Sequence, residues 1–410
     1  MITRRNLLHW LGVGTALAAS GIVPSRVRRS LASPSSAPRN FLMILLQGGI
    51  DQILTTDPKT RSQIEPFVDR PYRDRDVITE AGVHLGPVLK PLRRHANRLT
   101  IVNAVLNATV SHQTGALQHS RLKIGNDLQM PSVVDLIGLH RDTQVLPSVT
   151  LGDADEYAYT STWFGSGSKP GEPGLLDELG ALTNEELRLL AAETERNSHA
   201  FAGNRGLRER IAMDNTSAAA NLFRRLAEVP RFTPQKWSDD PVSQWYARSL
   251  QQASWLFEHD LTHAVYVRSG RNVFDTHSNN AELQALKGAQ FFEMFARYLD
   301  ELERAPARKP FVLVSSEVGR YPRINNNAGK DHFPEAPVIM YGPGLRPGQF
   351  VDTGRQTEAF PVDLQTGRRA KAGGHVVTLD DVGATVLELA GVEFSRYAHS
   401  GTPLPFCLAK

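Results

Sequence analysis

The chain reads as an α/β protein built on a mostly parallel sheet, and three features of its text predict this. Continuous apolar runs of strand length recur along it, segments of helical period alternate with them, and capping residues and glycines punctuate the helices. With 410 residues, 41% of them hydrophobic, it has ample length to bury a core as one large domain or two.

Residues 1–32 are the first element. Thr3-Arg4-Arg5-Asn6-Leu7-Leu8 is followed by the mildly apolar stretch Leu11 to Ala19. A basic opening, an apolar middle and small residues beyond it are the layout of an export signal. The paired arginines and an apolar stretch diluted with Gly and Thr resemble a twin-arginine signal, the kind that exports folded protein. Its partner would be the twin-arginine export machinery, and the destination periplasmic or secreted. Cleavage fits after Ala18 or after Ala32, and the alternative to a signal is a short amphipathic helix.

Residues 33–172 read as the first part of the α/β core. After a Ser/Pro linker, Asn40 to Gln47 is a near-continuous apolar run ending in Gly48-Gly49, the pattern of a strand buried on both faces. Leu99–Val105 is a second such run, and Val88–His95 and Ser132–His140 read as helical. Residues 173–262 read as a mainly helical insertion. Strand signals are nearly absent there, Thr183 to Glu186 is a capping box, and Gly165–Gly174 is a loop leading in. Residues 263–410 return to the core. Strands are expected at His263–Val267, Pro310–Ser315 and Pro337–Tyr341. A helix over Ala281–Leu302 carries Phe292, Phe295, Leu299 and Leu302 at helical spacing. The last helix starts at Thr378 to Asp381, carries Leu379, Val382, Val386 and Leu389, and stops at Gly391.

Composition removes several function classes. One cysteine, Cys407, excludes a disulfide framework and Cys-built zinc or iron–sulfur centres within the chain. No apolar run long enough to span a membrane lies beyond the first thirty residues. Removing residues 1–32, with five Arg and no acid, takes the net charge from +3 to −2. The mature chain therefore offers no basic surface for nucleic acid.

Ligands in open α/β sheets bind outside the carboxyl ends of the strands, so polar residues beside the apolar runs are the candidates. They are Asp51, Ser111-His112, Asp275-Thr276-His277, Ser316-Glu317 and Asp331-His332. This donor set suits a divalent metal, with Zn, Mn and Mg all compatible. Singly, each pair has an ordinary structural reading: Asp275 as a turn residue, Asp331-His332 as a polar loop, Glu317 as a partner of Arg320. Arg320, Arg323 and Lys330 read either as a cluster for an anionic substrate or as a solvated basic loop. His119 reads as structural and His375 as exposed.

The order of these pieces resembles a family. Leu45–Asp51 (LLQGGID), Val110–His112 (VSH), Phe274–His277 (FDTH), Ser316–Arg320 (SEVGR) and Asp331–Phe333 (DHF) resemble the domain-of-unknown-function 1501 family, which looks like a branch of the alkaline phosphatase and sulfatase superfamily. The resemblance implies an alkaline-phosphatase-like three-layer α/β/α sandwich with one or two divalent cations at the carboxyl edge. It implies metal ligation by Asp51, Asp275, His277, Glu317, Asp331 and His332, catalysis by Ser111 and His112, and contact of Arg320 with an anionic phosphate or sulfate ester. Gln52 departs from the Gly usual after the first Asp, and Glu317-Val318 stands where phosphatases carry Asp-His. The nucleophile stays open between Ser111 and Thr109, and His112 is a ligand or a base. Two functions are therefore expected: a metal-dependent ester hydrolase, or a non-catalytic exported protein that keeps the fold for ligand binding or assembly.

Overall fold

The computed structural model describes residues 39–125, 131–140, 145–146, 148–152, 175–200, 219–270, 273–305, 309–397 and 399–409. The export signal and the loop Gly165–Gly174 lie outside the described residues. Among the described residues eleven strands are present: β1 Phe41–Leu45, β2 Ile78–Glu80, β3 Val83–Leu85, β4 Leu99–Leu106, β5 Val149–Gly152, β6 Ala264–Arg268, β7 Phe311–Ser315, β8 Gly319–Ile324, β9 Lys330–Phe333, β10 Glu335–Tyr341 and β11 Gly348–Phe350. Seven form one sheet in the order β11-β4-β10-β7-β1-β6-β5; β2 pairs with β3, and β8 with β9.

Within the large sheet β5, β6, β1 and β7 are parallel to one another, as are β4 and β11, and only β10 runs against both of its neighbours. The mostly parallel sheet expected from the apolar runs is present. The interior strand β1 shows why the runs are unbroken. Leu42 and Ile44 pack into one core, while Phe41, Met43 and Leu45 pack into another on the opposite face. Both faces are dry, so period-two alternation between apolar and polar residues is absent. Each such buried side chain contributes roughly 1.5–3 kcal/mol relative to exposure.

Helices complete the two outer layers. Pro241–Glu258 and Asn280–Arg304 supply Tyr246, Leu250, Phe291, Phe292, Phe295 and Leu299 to the first core. Val133–Leu139 and Leu379–Leu389 supply Val134, Ile137, Val382 and Val386 to the second. Asp381 accepts the Thr378 backbone N–H at 2.8 Å, closing the predicted cap of the last helix. Between β5 and β6 only helices occur among the described residues, with Thr183 and Glu186 exchanging their capping hydrogen bonds. The segment Pro87–Arg98 winds as a 3₁₀ helix. Pro91 inside it removes a backbone donor, which disfavours the α form.

Candidate metal centre

The carboxyl edge gathers polar side chains from five chain segments. After β1 the chain turns at Gly48, whose φ of +121° is one that glycine adopts without strain. A Cβ there would lie 2.3 Å from the backbone nitrogen of Asp275, so glycine also permits the close approach of the two segments. The Phe274 N–H donates to Gln47 O at 2.8 Å and holds residues 274–277 against this edge.

β7 leads into Ser316-Glu317, and β4 leads to Ser111-His112 at the start of the helix His112–Arg121. The reversed strand explains why residues that precede a strand, Asp331 and His332, reach the same edge. Val338 of β10 stands opposite Ser315 and Tyr341 opposite Val312, so the beginning of β10 lies at the carboxyl end of β7.

Asp275 is the centre of the group. Its Oδ1 lies 3.1 Å from His332 Nε2, 3.1 Å from His277 Nε2 and 2.5 Å from Arg320 Nη2; its Oδ2 lies 3.3 Å from His112 Nε2. Burial alone would raise the Asp275 carboxyl, but Arg320 and His332, with His112 behind them, hold it down at about 2. It is an anion at any ordinary pH. Burial pulls the His112 imidazole down, and the Glu317 and Asp275 carboxylates outweigh that and raise it above the ordinary histidine range.

Each imidazole has its other nitrogen on an acceptor. His112 Nδ1 is 2.7 Å from Glu317 Oε1, His332 Nδ1 is 2.7 Å from Val110 O, and His277 Nδ1 is 3.1 Å from Asp331 Oδ1. Carboxylates and carbonyls only accept, so all three Nδ1 atoms carry the hydrogen, and in the neutral rings Nε2 presents a lone pair. Those lone pairs converge: His277 and His332 Nε2 are 3.0 Å apart, and the buried His112 Nε2 makes no hydrogen bond. Lone pairs facing each other and a carboxylate need protons or a cation between them. Ligand atoms of a tetrahedral zinc site sit roughly 3.3 Å apart, close to the spacings here. His112, Asp275 and His332 are half-buried, and their ligand atoms all lie within 4.8 Å of one another, close enough to hold one metal ion. His277 adjoins as a fourth donor. An acceptor behind each ligating imidazole is the usual support of such centres.

The sequence-derived residues thus divide. Asp275, His277, His332 and His112 come together as donors, which puts His112 among potential ligands rather than alone as a base. Glu317 stands behind His112, also accepting the Gly48 N–H at 2.8 Å, and Asp331 stands behind His277. Asp51 does not join the group. Its carboxylate is fully buried and turned to Lys330 Nζ at 2.7 Å and Asn280 Nδ2 at 2.7 Å. Arg320 does not face outward to a substrate: it is 1% exposed, and its guanidinium holds Gly48 O, Gly49 O, Phe274 O and Lys330 O besides Asp275. It is Asp275, not Glu317, that Arg320 pairs with. Ser111 is exposed and its Oγ accepts the Thr114 N–H at the helix start. His119 is buried against Tyr266, its pKa lowered to about 3 by desolvation with Arg268 adding to it; His375 bonds Asp381. Asn280 and Gln284, which orient Asp51 and the 274–276 backbone, were missed; both lie in the first turns of a helix read only for its apolar face.

No curated protein matches the chain. Among solved structures it is similar to the lipoteichoic acid synthase LtaP from Listeria monocytogenes, 10% identical over 97% of this chain and 82% of that one, with a TM-score of 0.43. It is similar to Ps i-CgsB in complex with k-i-k-neocarrahexaose, 12% identical over 89% and 75%, TM-score 0.38. It is similar to a TAB5 alkaline phosphatase mutant with Mg bound, 10% identical over 87% and 99%, TM-score 0.35. No helix among the described residues is long and apolar enough to cross a membrane. Residues 208–408, which carry Asp275, His277, Glu317 and His332, match the family described as Protein of unknown function (DUF1501), which bears out the resemblance carried by the motifs Phe274–His277, Ser316–Arg320 and Asp331–Phe333.

Proposed function

We propose that this is an exported metal-dependent hydrolase acting on phosphate or sulfate esters, delivered by the twin-arginine machinery. The observation that carries the proposal is the convergence of three imidazole Nε2 atoms on Asp275, each ring held from behind by an acceptor. His112, Asp275 and His332 would hold the ion, with His277 beside them; a nitrogen-rich donor set favours Zn over Mn and Mg, which prefer oxygen. When bound, a divalent cation offsets the negative charge of an ester and polarises it toward attack.

The chain's own groups do the rest. Glu317 and the Val110 carbonyl keep the hydrogens of His112 and His332 on Nδ1, so that Nε2 faces the ion. Arg320 holds the Asp275 carboxylate in place and anionic. Ser111 is given the part of nucleophile: its Oγ accepts a backbone N–H, which leaves its own hydrogen free, and it adjoins His112 in sequence.

One observation favours the non-catalytic reading. Arg320 and Lys330 are both turned inward, so neither offers its charge to an anionic substrate. Hydrolysis of aryl phosphates and sulfates by the metal-loaded protein decides between the two. Turnover that disappears in Asp275→Asn and in Ser111→Ala is expected. A stably loaded protein that turns over no ester of either class would leave binding or assembly as the function.

A further inference from the structure

We infer that the Lys330 ammonium is a built-in cation at Asp51, so that this edge takes a single divalent ion where the family resemblance implies up to two. The inference rests on the metal centre proposed above. Asp51 is where a strand-end carboxylate would hold the other ion, and its surroundings do not fit one. Its Oδ2 receives Lys330 Nζ and Asn280 Nδ2, both at 2.7 Å, and its Oδ1 receives the Ile53 N–H at 3.0 Å.

Every one of these partners is a donor. Asn280 cannot turn its oxygen toward the site without losing the Thr276 hydroxyl, which it accepts at 2.6 Å. The ammonium itself is completed by Asp69, with the backbone carbonyl at 3.3 Å and the carboxylate at 3.7 Å. Lys330 and Asp51 are both 0% exposed. An ion arriving at Asp51 would meet a buried positive charge and an amide N–H₂, with no open ligand.

The lysine is also held by its backbone. Lys330 N–H donates to Thr276 O at 3.0 Å, and a Cβ on the preceding Gly329 would lie 1.9 Å from the His277 carbonyl carbon. The strand β9 therefore packs directly against the 276–278 segment. In an extended strand, residues two apart leave on the same side. The same β9 thus sends His332 to Asp275 and Lys330 to Asp51, one side chain as a metal ligand and the other as the cation itself.

The test is metal stoichiometry of the full chain, purified without chelator, loaded with Zn or Mn, desalted and measured by elemental analysis. Wild type and the double variant Asp51→Asn/Lys330→Met are expected to retain a single equivalent each, and Asp275→Asn to lose it. Removing both charges of a buried pair is often tolerated, whereas removing one is not. Two equivalents in wild type would overturn the inference while leaving the proposed centre standing. A single equivalent that survives Asp275→Asn would place the ion elsewhere and overturn both, as would a wild type that holds none. Should the double variant fail to fold, the wild-type count together with Asp275→Asn still decides.

Discussion

Glu317 tests the metal centre without touching a proposed ligand. Its Oε1 accepts the Gly48 N–H at 2.8 Å and the His112 Nδ1–H at 2.7 Å, and its Oε2 lies 3.1 Å from Ser316 Oγ. Glutamine can keep this whole pattern. The amide oxygen takes the place of Oε1, and the amide nitrogen donates to Ser316 Oγ, whose own hydrogen goes to Leu46 O at 2.7 Å. What Glu317→Gln removes is charge. A cation beyond His112 Nε2 would stand roughly 7 Å from that carboxylate, given a metal–nitrogen bond of about 2 Å. At an effective dielectric of about 20, one unit of charge over that distance is worth about 2.4 kcal/mol. One unit is the difference used, because a divalent ion that displaces one proton raises the charge of the centre by one. That energy corresponds to about 50-fold in affinity, inside the roughly 10–100-fold usual for outer partners of metal ligands. Competition against a chromophoric chelator at fixed pH measures it, with thermal denaturation of the metal-free proteins as the control for folding. A dissociation constant within about twofold of wild type, in a folded variant, would refute the assignment of Glu317 as the support of a metal-bound His112.

The other predictions bear on how the edge and the fold are held. Gly48→Ala should cost about 1–2 kcal/mol for its left-handed backbone alone and more for the clash with Asp275, so lower thermal stability and weaker metal binding are expected together. Burial, with Glu358 adding to it and the Ala359 N–H opposing, raises the Glu335 carboxyl from 4.5 to about 7. The folded state therefore holds a proton that the unfolded chain has released, and stability falls as pH rises from 4.5 through 7. Glu335→Gln should match wild type near pH 4.5 and denature at a higher temperature near pH 8; an equal difference at both pH values would contradict the assignment. Phe292→Ala, at a fully buried position, should cost about 3–5 kcal/mol in a urea titration. Asp381→Ala strips partners from Thr378 N–H, Thr402 N–H and His375, and a loss of about 2–4 kcal/mol by the same method is expected.

The long buried strands were legible because their text is unambiguous. Phe41–Leu45 and Phe311–Ser315 are apolar on both faces and stop at polar residues. The short strands β5 and β11, of four and three residues, carry too little pattern to separate from loop. The helix Asn184–Ala200 was legible from its capping box. Polar residues just past a strand are good site candidates in a parallel sheet, because every strand there ends at one edge. Asp331-His332 reaches that edge for another reason: β10 is reversed, so the residues before it lie where those after its neighbours lie. Nothing in the local text of Glu335–Tyr341 marks that reversal.

Partnership was the illegible part. Asp51, Glu317 and Asp275 are all carboxylates near strand ends, and at equal distance from the sheet any of them reads as a ligand. Their surroundings separate them: Asp51 meets an ammonium, Glu317 meets the hydrogen-bearing side of an imidazole, and Asp275 meets three imidazole Nε2 atoms. Those surroundings come from the loop segment 274–277 laid beside β9. In one, Asp275 and His277 flank Thr276; in the other, Lys330 and His332 flank Asp331. The Lys330 N–H to Thr276 O bond fixes the register between them. With period-two geometry, that single register sets His332 beside Asp275 and Lys330 beside Asp51 at once. A slip of one residue would exchange His332 for Asp331 at the centre and expel the ammonium from Asp51. The tight approach at Gly329 is therefore as much a condition of the proposed chemistry as the ligands themselves, and Gly329→Ala should abolish metal binding even with every donor present.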